Sequence, residues 1–254
     1  MKNNLLKGRI AALLLIVLSG FCIGAFAQVY TYPANDDALE SLESNFVMQV
    51  TETPLFIRFD NQLISRSVGL IIQPGGEVDP RAYARIARKI AGPGYRVIID
   101  KTPSELVIAG VVPNMIPTIK ASNPDVQTWA LAGHSLGGVT AAQYIAENPQ
   151  DTSIEGLALW AAFPNPGLPI ADRTDLAVAS IYGENDCLAT PETILSLSWT
   201  LPANASFVQL DGANHAQWGD YGDQVGDCAA DITTTVQKIR GKRATVDHVL
   251  TLID

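Results

Sequence analysis

Six short runs rich in β-branched residues recur along the chain, and most of them lack a polar residue at every second position. They are residues 68–73 (VGLIIQ), 95–100 (YRVIID), 126–132 (VQTWALA), 154–160 (IEGLALW), 176–182 (LAVASIY) and 205–210 (ASFVQL). A strand with one wet face alternates apolar and polar; a strand covered on both faces does not. Helical patterns separate the runs. This alternation predicts an α/β fold with a mostly parallel central sheet and helices on both faces. Residues 46–60 are expected to add opening antiparallel strands, and residues 229–240 a closing helix. The tail from 241 to 254 fits either a helix extension or a frayed end. No repeat or low-complexity linker interrupts the pattern, so residues 45–254 read as one domain.

The clearest helix follows the first run. Asp79 is placed to cap it and Pro80 sits at its first position, where a missing N–H costs nothing. Tyr83, Ile86, Ala87 and Ile90 then form one apolar stripe, and Gly92-Pro93-Gly94 ends it. Arg81, Arg85, Arg88 and Lys89 read as its solvated face.

The N-terminus has the composition of a leader. Lys2, Lys7 and Arg9 precede an apolar run over residues 10–23, and Ala25-Phe26-Ala27 supplies small residues for cleavage before Gln28. Residues 1–27 are therefore expected to be a signal peptide and the chain to be exported, periplasmic or secreted. The apolar run is short for a membrane span; an uncleaved tether is the alternative. Cys22 follows the bulky Phe21, which does not suit a lipidation site. Residues 28–44 are polar and turn-rich, a loosely attached lead-in. The net charge is −9, more negative still without the leader. Such a chain is a poor partner for nucleic acid or an anionic lipid surface, and no stable membrane partner is expected. No metal-ligand spacing, phosphate-binding glycine loop or dinucleotide fingerprint is visible, so no cofactor is inferred.

The chemistry concentrates around Gly133-His134-Ser135-Leu136-Gly137, a G-x-S-x-G pattern with a strand-like run before it and a helix-like run (GVTAAQYIAE) after it. A serine on a sharp strand-to-helix turn is exposed as a nucleophile, and the flanking glycines avoid clashes across that turn. A serine hydroxyl at its own pKa needs a base. The chain has three histidines. His134 sits on the turn with its side chain expected to point elsewhere, and His248 lies in the ambiguous tail. His215 follows the last predicted strand and satisfies the order serine, acid, histidine. Asp186, on the loop after the 176–182 run, is the orienting acid in this reading. Glu184 is too near the strand end, and Asp175 lies at the wrong end of the sheet. An oxyanion hole needs two backbone donors. Leu136 N–H is one; the Pro74-Gly75-Gly76-Glu77 loop offers the other, at Gly76 first and Glu77 second.

Beyond the leader the chain retains Cys187 and Cys228. An even pair in an oxidising compartment suggests a disulfide. Cys187 follows Asp186, and Cys228 lies shortly beyond His215. In a working triad the two loops converge, so this pair is expected to bridge them.

The blocks QPGGEVDPRAYARIAR (73–88), GHSLGG (133–138), GENDCLATPE (183–192) and GANHAQWGDYG (212–222) together resemble a bacterial α/β-hydrolase family of small, often exported proteins near the dienelactone hydrolases and carboxylesterases. That resemblance implies the α/β-hydrolase fold and triad roles for Ser135, Asp186 and His215. Dienelactone hydrolases use a cysteine nucleophile. Position 135 is serine, which weakens the transfer of their substrate to this chain. The acid and histidine blocks also resemble those of cutinase-type polyester hydrolases.

Residues 160–176 are too few for a large cap domain. Trp160, Phe163, Trp218 and Tyr221 fall on loops after strands, the edge where such sheets bind ligands, and are expected to line an open, shallow pocket. The reading is a serine hydrolase of small or moderate carboxylic esters. The alternatives are a lipase- or cutinase-like hydrolase of longer or polymeric esters, and a non-catalytic binding protein that keeps the fold.

Overall fold

The computed structural model describes residues 31–254. The leader over 1–27 and its cleavage point lie outside the described residues. Eight strands form one sheet in the order β1 (Met48–Glu52), β2 (Phe56–Asn61), β4 (Arg96–Asp100), β3 (Val68–Gln73), β5 (Thr128–His134), β6 (Ile154–Trp160), β7 (Ala177–Gly183), β8 (Ser206–Leu210). The β1–β2 and β2–β4 pairings are antiparallel and the others parallel. The strands predicted at 68–73 and 154–160 appear with those bounds, and the other four shift by one or two residues.

The absence of alternation in these runs has the expected cause. Leu70, Ile72, Val97, Ile99, Ala130 and Ala132 belong to one apolar cluster; Ile71, Ile98 and Leu131, their neighbours in sequence, belong to another. Successive side chains therefore enter two separate cores, one on each face. The first core is closed by α2 (Ala84–Ala91) and α7 (Thr234–Thr245), through residues such as Ile86, Ile90 and Ala244. The second is closed by α4 (Ile116–Ala121) and α5 (Leu136–Glu147), through Ile119, Ala141 and Ile145. Asp79 caps as predicted, accepting from Arg81 N, although the first turn, Pro80–Tyr83, is 3-10.

Two expectations change and one open alternative is decided. The lead-in is docked, not loose. Helix α1 (Asp36–Glu40) buries Ala38, Asn35 N donates to Asp220 O at 2.8 Å, and Tyr32 bridges Val78. That segment covers part of the arginine face of α2. Arg85 pairs with Asp37 and Asp220, and Arg88 donates to the carbonyls of Ser41 and Glu43. Those two arginines fasten the lead-in instead of facing solvent. The tail is a helix extension: α7 runs on through a π-helical turn, Val246–Leu250, and a last turn, Thr251–Ile253, burying Val249 and Leu250 against the sheet.

Candidate active site

Ser135 joins β5 to α5 in a conformation rare outside glycine, φ 51° and ψ −122°. Its N–H donates to Trp160 O at 3.0 Å, which ties the turn to β6. The glycines around it leave no room for a side chain. A Cβ at Gly133 would stand 2.3 Å from Gly137 O. The turn needs Gly133 to lack one, and Gly137 lacks one where it packs against the end of β3.

The parallel sheet places the loops after β5, β7 and β8 at one edge, and the predicted acid and histidine meet there. His215 Nδ1 and Asp186 Oδ2 are 2.8 Å apart, both side chains buried. The other carboxylate oxygen of Asp186 accepts from Leu188 N at 2.9 Å and Ala189 N at 2.7 Å. A carboxylate held by these bonds fixes the imidazole with its proton on Nδ1, leaving Nε2 as an acceptor. Ser135 Oγ makes no hydrogen bond among the described residues; such serine–histidine bonds often tighten only with substrate in place. Glu184 does not compete with Asp186, because its carboxylate accepts from Gly212 N at 2.9 Å, at the root of the histidine loop.

The glycine loop also sorts its two candidate donors. Glu77, at φ 59°, directs its N–H to Glu105 Oε2 at 3.4 Å. Gly76 lies against Leu136: a Cβ added there would be 3.0 Å from Leu136 Cδ2. Neither Gly76 N nor Leu136 N donates to a protein acceptor among the described residues. Gly76 and Leu136, each with an N–H free of protein acceptors, are therefore neighbouring residues, and Glu77 N–H is engaged elsewhere.

The aromatic pocket needs correction. Trp160 and Trp218 are fully buried and stacked on each other, centroids 5.2 Å apart and planes 4° from parallel. Trp160 Nε1 donates to Thr245 Oγ1 at 3.0 Å. Both side chains turn onto the sheet face under α7 rather than out of the sheet edge, so they pack the core and line no opening. Tyr221 is buried too, its hydroxyl donating to Gln224 Oε1 at 2.9 Å. Phe163 alone of the four keeps partial exposure.

Cys187 and Cys228 form the expected disulfide, with Cα atoms 5.3 Å apart. Asp227 reinforces it in a way that no local sequence signal announces. One carboxylate oxygen accepts from Cys187 N at 3.3 Å and Cys228 N at 2.9 Å, the other from Ala216 N at 2.8 Å. The bridge closes a loop with a sequence separation of 41, worth about 4 kcal/mol in the chain-entropy account. Reduction, or Cys187→Ser with Cys228→Ser, is expected to lower the unfolding free energy by about that much. Denatured, unreduced protein should titrate no thiol from this pair. Equal melting temperatures before and after reduction would be the contrary result.

Beneath the histidine loop lies a buried charge network. Lys238, on α7, donates to Gln217 O at 2.9 Å and Trp218 O at 3.3 Å, and stands 3.4 Å from Asp220 Oδ1; Asp220 in turn binds Arg85. Burial pulls the Lys238 ammonium down to about 8, against the pull of Asp220. The unfolded chain holds the same proton near 10.5. Between those values the unfolded state binds more protons, so stability rises with pH. The cost of the buried charge is whole below pH 8 and gone above 10.5. The unfolding free energy, referred to Lys238→Met, is therefore expected to climb by about 3 kcal/mol across that window. Denaturant titrations at stepped pH check this; a flat difference would refute it.

Among the described residues no three His, Cys, Asp or Glu side chains converge as a metal ion would require.

Residues 69–239 match the model of the alpha/beta hydrolase family. Solved structures agree on the fold. A protein of Klebsiella pneumoniae provisionally described as a dienelactone hydrolase is 15% identical, with 81% of this chain and 98% of that chain covered and a TM-score of 0.51. A predicted CIB-like hydrolase of Thermoplasma acidophilum is 14% identical over 79% of this chain and 97% of its own, with a TM-score of 0.55. A serine hydrolase without a lid from Xanthomonas campestris is 14% identical over 81% and 94%, with a TM-score of 0.50. A comparison with curated proteins returns no match.

Proposed function

The chain belongs to the alpha/beta hydrolase family, and on that premise we propose that it hydrolyses carboxylic esters through an acyl-enzyme on Ser135. The observation that carries this reading is the 2.8 Å bond between His215 Nδ1 and Asp186 Oδ2 beside a serine held at φ 51° on a strand-to-helix turn. In this mechanism Ser135 Oγ attacks the ester carbonyl while His215 Nε2 takes its proton. Asp186 keeps the imidazole in the required tautomer and stabilises its charged form. The oxyanion is received by the N–H groups of Gly76 and Leu136, the latter at the N-terminus of α5, where the helix dipole also favours negative charge. His215 then gives its proton to the leaving alkoxide. Water then attacks the acyl carbon as His215 Nε2 takes its proton. The bond from the acyl carbon to Ser135 Oγ breaks with that proton passing to Oγ, and the acid leaves.

Substrates of small or moderate size suit the short connection between β6 and β7, which leaves no room for a large cap. The Xanthomonas campestris relative without a lid is consistent with that. Export supports the disulfide and is supported by it; protein recovered from its native compartment is expected to begin at or near Gln28.

The test is a panel of p-nitrophenyl esters of rising acyl length with mature protein and Ser135→Ala, together with a fluorophosphonate probe. Turnover with short acyl chains and labelling confined to Ser135 are expected. Labelling that persists in Ser135→Ala would remove the assignment. A rate that grows steadily with chain length would favour a lipase- or cutinase-like enzyme.

A further inference from the structure

His134 is the titratable group that this mechanism leaves unused, and it is fully buried between two parts of the machinery. On one side its Nδ1 lies 2.8 Å from Tyr83 Oη. On the other its ring stands 4.6 Å, centroid to centroid, from that of His215. Tyr83 Oη is also the acceptor for Gly75 N–H at 2.9 Å. With Gly75 N–H donating to the tyrosine oxygen, the tyrosine hydrogen is free to point at His134 Nδ1, the arrangement in which the imidazole proton sits on Nε2.

The chain is electrically quiet. Burial pushes the Tyr83 hydroxyl above its usual range, so it remains a donor, and Gly75 N–H only partly offsets this. Burial first, then the charges of His215 and Lys238, holds His134 well below the ordinary histidine value, so it remains neutral, although a backbone contact with His215 opposes this. His134 Nε2 has no hydrogen-bond partner of normal geometry. Burying a ring nitrogen unpaired costs about 1–3 kcal/mol. An apolar residue would fill the space without that cost, so packing alone does not account for a histidine here.

The fit at the other end is close. A Cβ on Gly75 would sit 3.0 Å from both His134 Nδ1 and Tyr83 Oη. The peptide that follows Gly75 carries the Gly76 N–H. The Gly75 N–H bond pins the peptide before Gly75, one step from the peptide that presents Gly76 N–H, and the close fit at Gly75 Cα leaves that step little room to shift.

We propose that Tyr83 and His134 form a buried brace, Gly75 N–H to Tyr83 to His134 to the tilted ring of His215, that fixes the oxyanion donor and the base relative to one another. They are positioning residues in this account, since neither touches substrate, and the proposal rests on the serine-esterase reading above. A donor swung out of line loses most of its value in the transition state and little in the ground state. The signature is therefore a fall in kcat with KM nearly constant.

The experiment compares the mature enzyme with Tyr83→Phe, His134→Phe and His134→Asn, using a short-chain p-nitrophenyl ester and an alkyl boronic acid whose tetrahedral adduct mimics the oxyanion. Tyr83→Phe and His134→Phe are expected to lower kcat by about 10- to 100-fold, less than loss of a whole oxyanion donor. KM should stay within about threefold, and boronate affinity should fall in step with kcat. His134→Asn carries an acceptor about where Nδ1 stands and should recover much of the loss. A lower melting temperature with kcat unchanged below the transition would overturn the brace, as would a loss confined to KM. Should Tyr83→Phe fail to fold, His134→Phe against His134→Asn decides the matter alone, equal activities counting against the proposal. Ser135→Ala run in parallel separates the two failures. If it retains activity, the esterase reading falls; if it is inert while both phenylalanine variants match the parent, only the brace does.

Discussion

His215→Ala is expected to lower kcat for ester hydrolysis by about four to six powers of ten, the usual cost of removing the base from a serine triad. The expectation rests on geometry. His215 is buried, bonded to Asp186 at 2.8 Å, and carried on the loop after β8 at the sheet edge where Ser135 emerges. His248 provides the control. It lies on the π-helical turn Val246–Leu250, in the extension of α7, and its replacement should leave kcat within about twofold, as for most substitutions away from special features. Steady-state kinetics on both variants checks the pair. Similar losses in each would mean that the two positions act through the fold and that His215 is not the base.

The largest effect on stability is expected from Gly137→Ala. A Cβ there would lie 2.1 Å from Gln73 O and 2.4 Å from Pro74 O. Gln73 ends β3 in register with Gly133 on β5 and Pro74 follows it directly, so the Gln73 carbonyl cannot retreat without parting two central strands. Relief has to come from displacing α5, which carries the nucleophile turn. We expect a loss of more than about 4 kcal/mol, at the extreme of single substitutions. Gly222→Ala calibrates this. Its Cβ meets nothing within 4 Å, yet its φ of +88° is strained for alanine, worth about 1–2 kcal/mol. Urea unfolding of the two variants should separate them clearly, and equal losses would show that the β3–α5 contact yields more easily than its distances imply.

The sheet was legible because burial on both faces removes alternation from a strand, and that signal is local. Residues 154–160 carry it in full. The placing of Ser135, Asp186 and His215 at one edge was legible for a related reason: each lies on the turn or loop that follows a strand, and the parallel arrangement sends all such loops to one edge. What depended on tertiary contact was not. Tyr83 and His134 are 51 residues apart, and nothing near either position shows that they touch. Helix α1 has a single buried residue, Ala38, so its stretch reads as polar and loose until Asp220 and Arg85 are seen beneath it. The short helices Ser104–Ile108, Ile116–Ala121 and Pro191–Ser196 are only five or six residues long, too brief to establish a period. The two tryptophans were expected to line a pocket, but Trp160 is the last residue of β6 and Trp218 closes a 3-10 turn, and sequence position at a strand end does not say whether a side chain turns outward or back across the sheet.

The disulfide has a consequence for wear. The segment between Cys187 and Cys228 is a closed ring that contains His215 and begins one residue after Asp186. Within it, Val225 is 87% exposed and lies between Gly222 and Gly226, both at positive φ. In an exported protein this stretch would offer a protease an exposed site. A single cut there leaves the two pieces covalently joined, with α7 still anchored through Lys238 and the acid and histidine on the same piece. An enzyme so stapled can be scarred without being disassembled, and would part into two fragments only once a reductant reached the bridge.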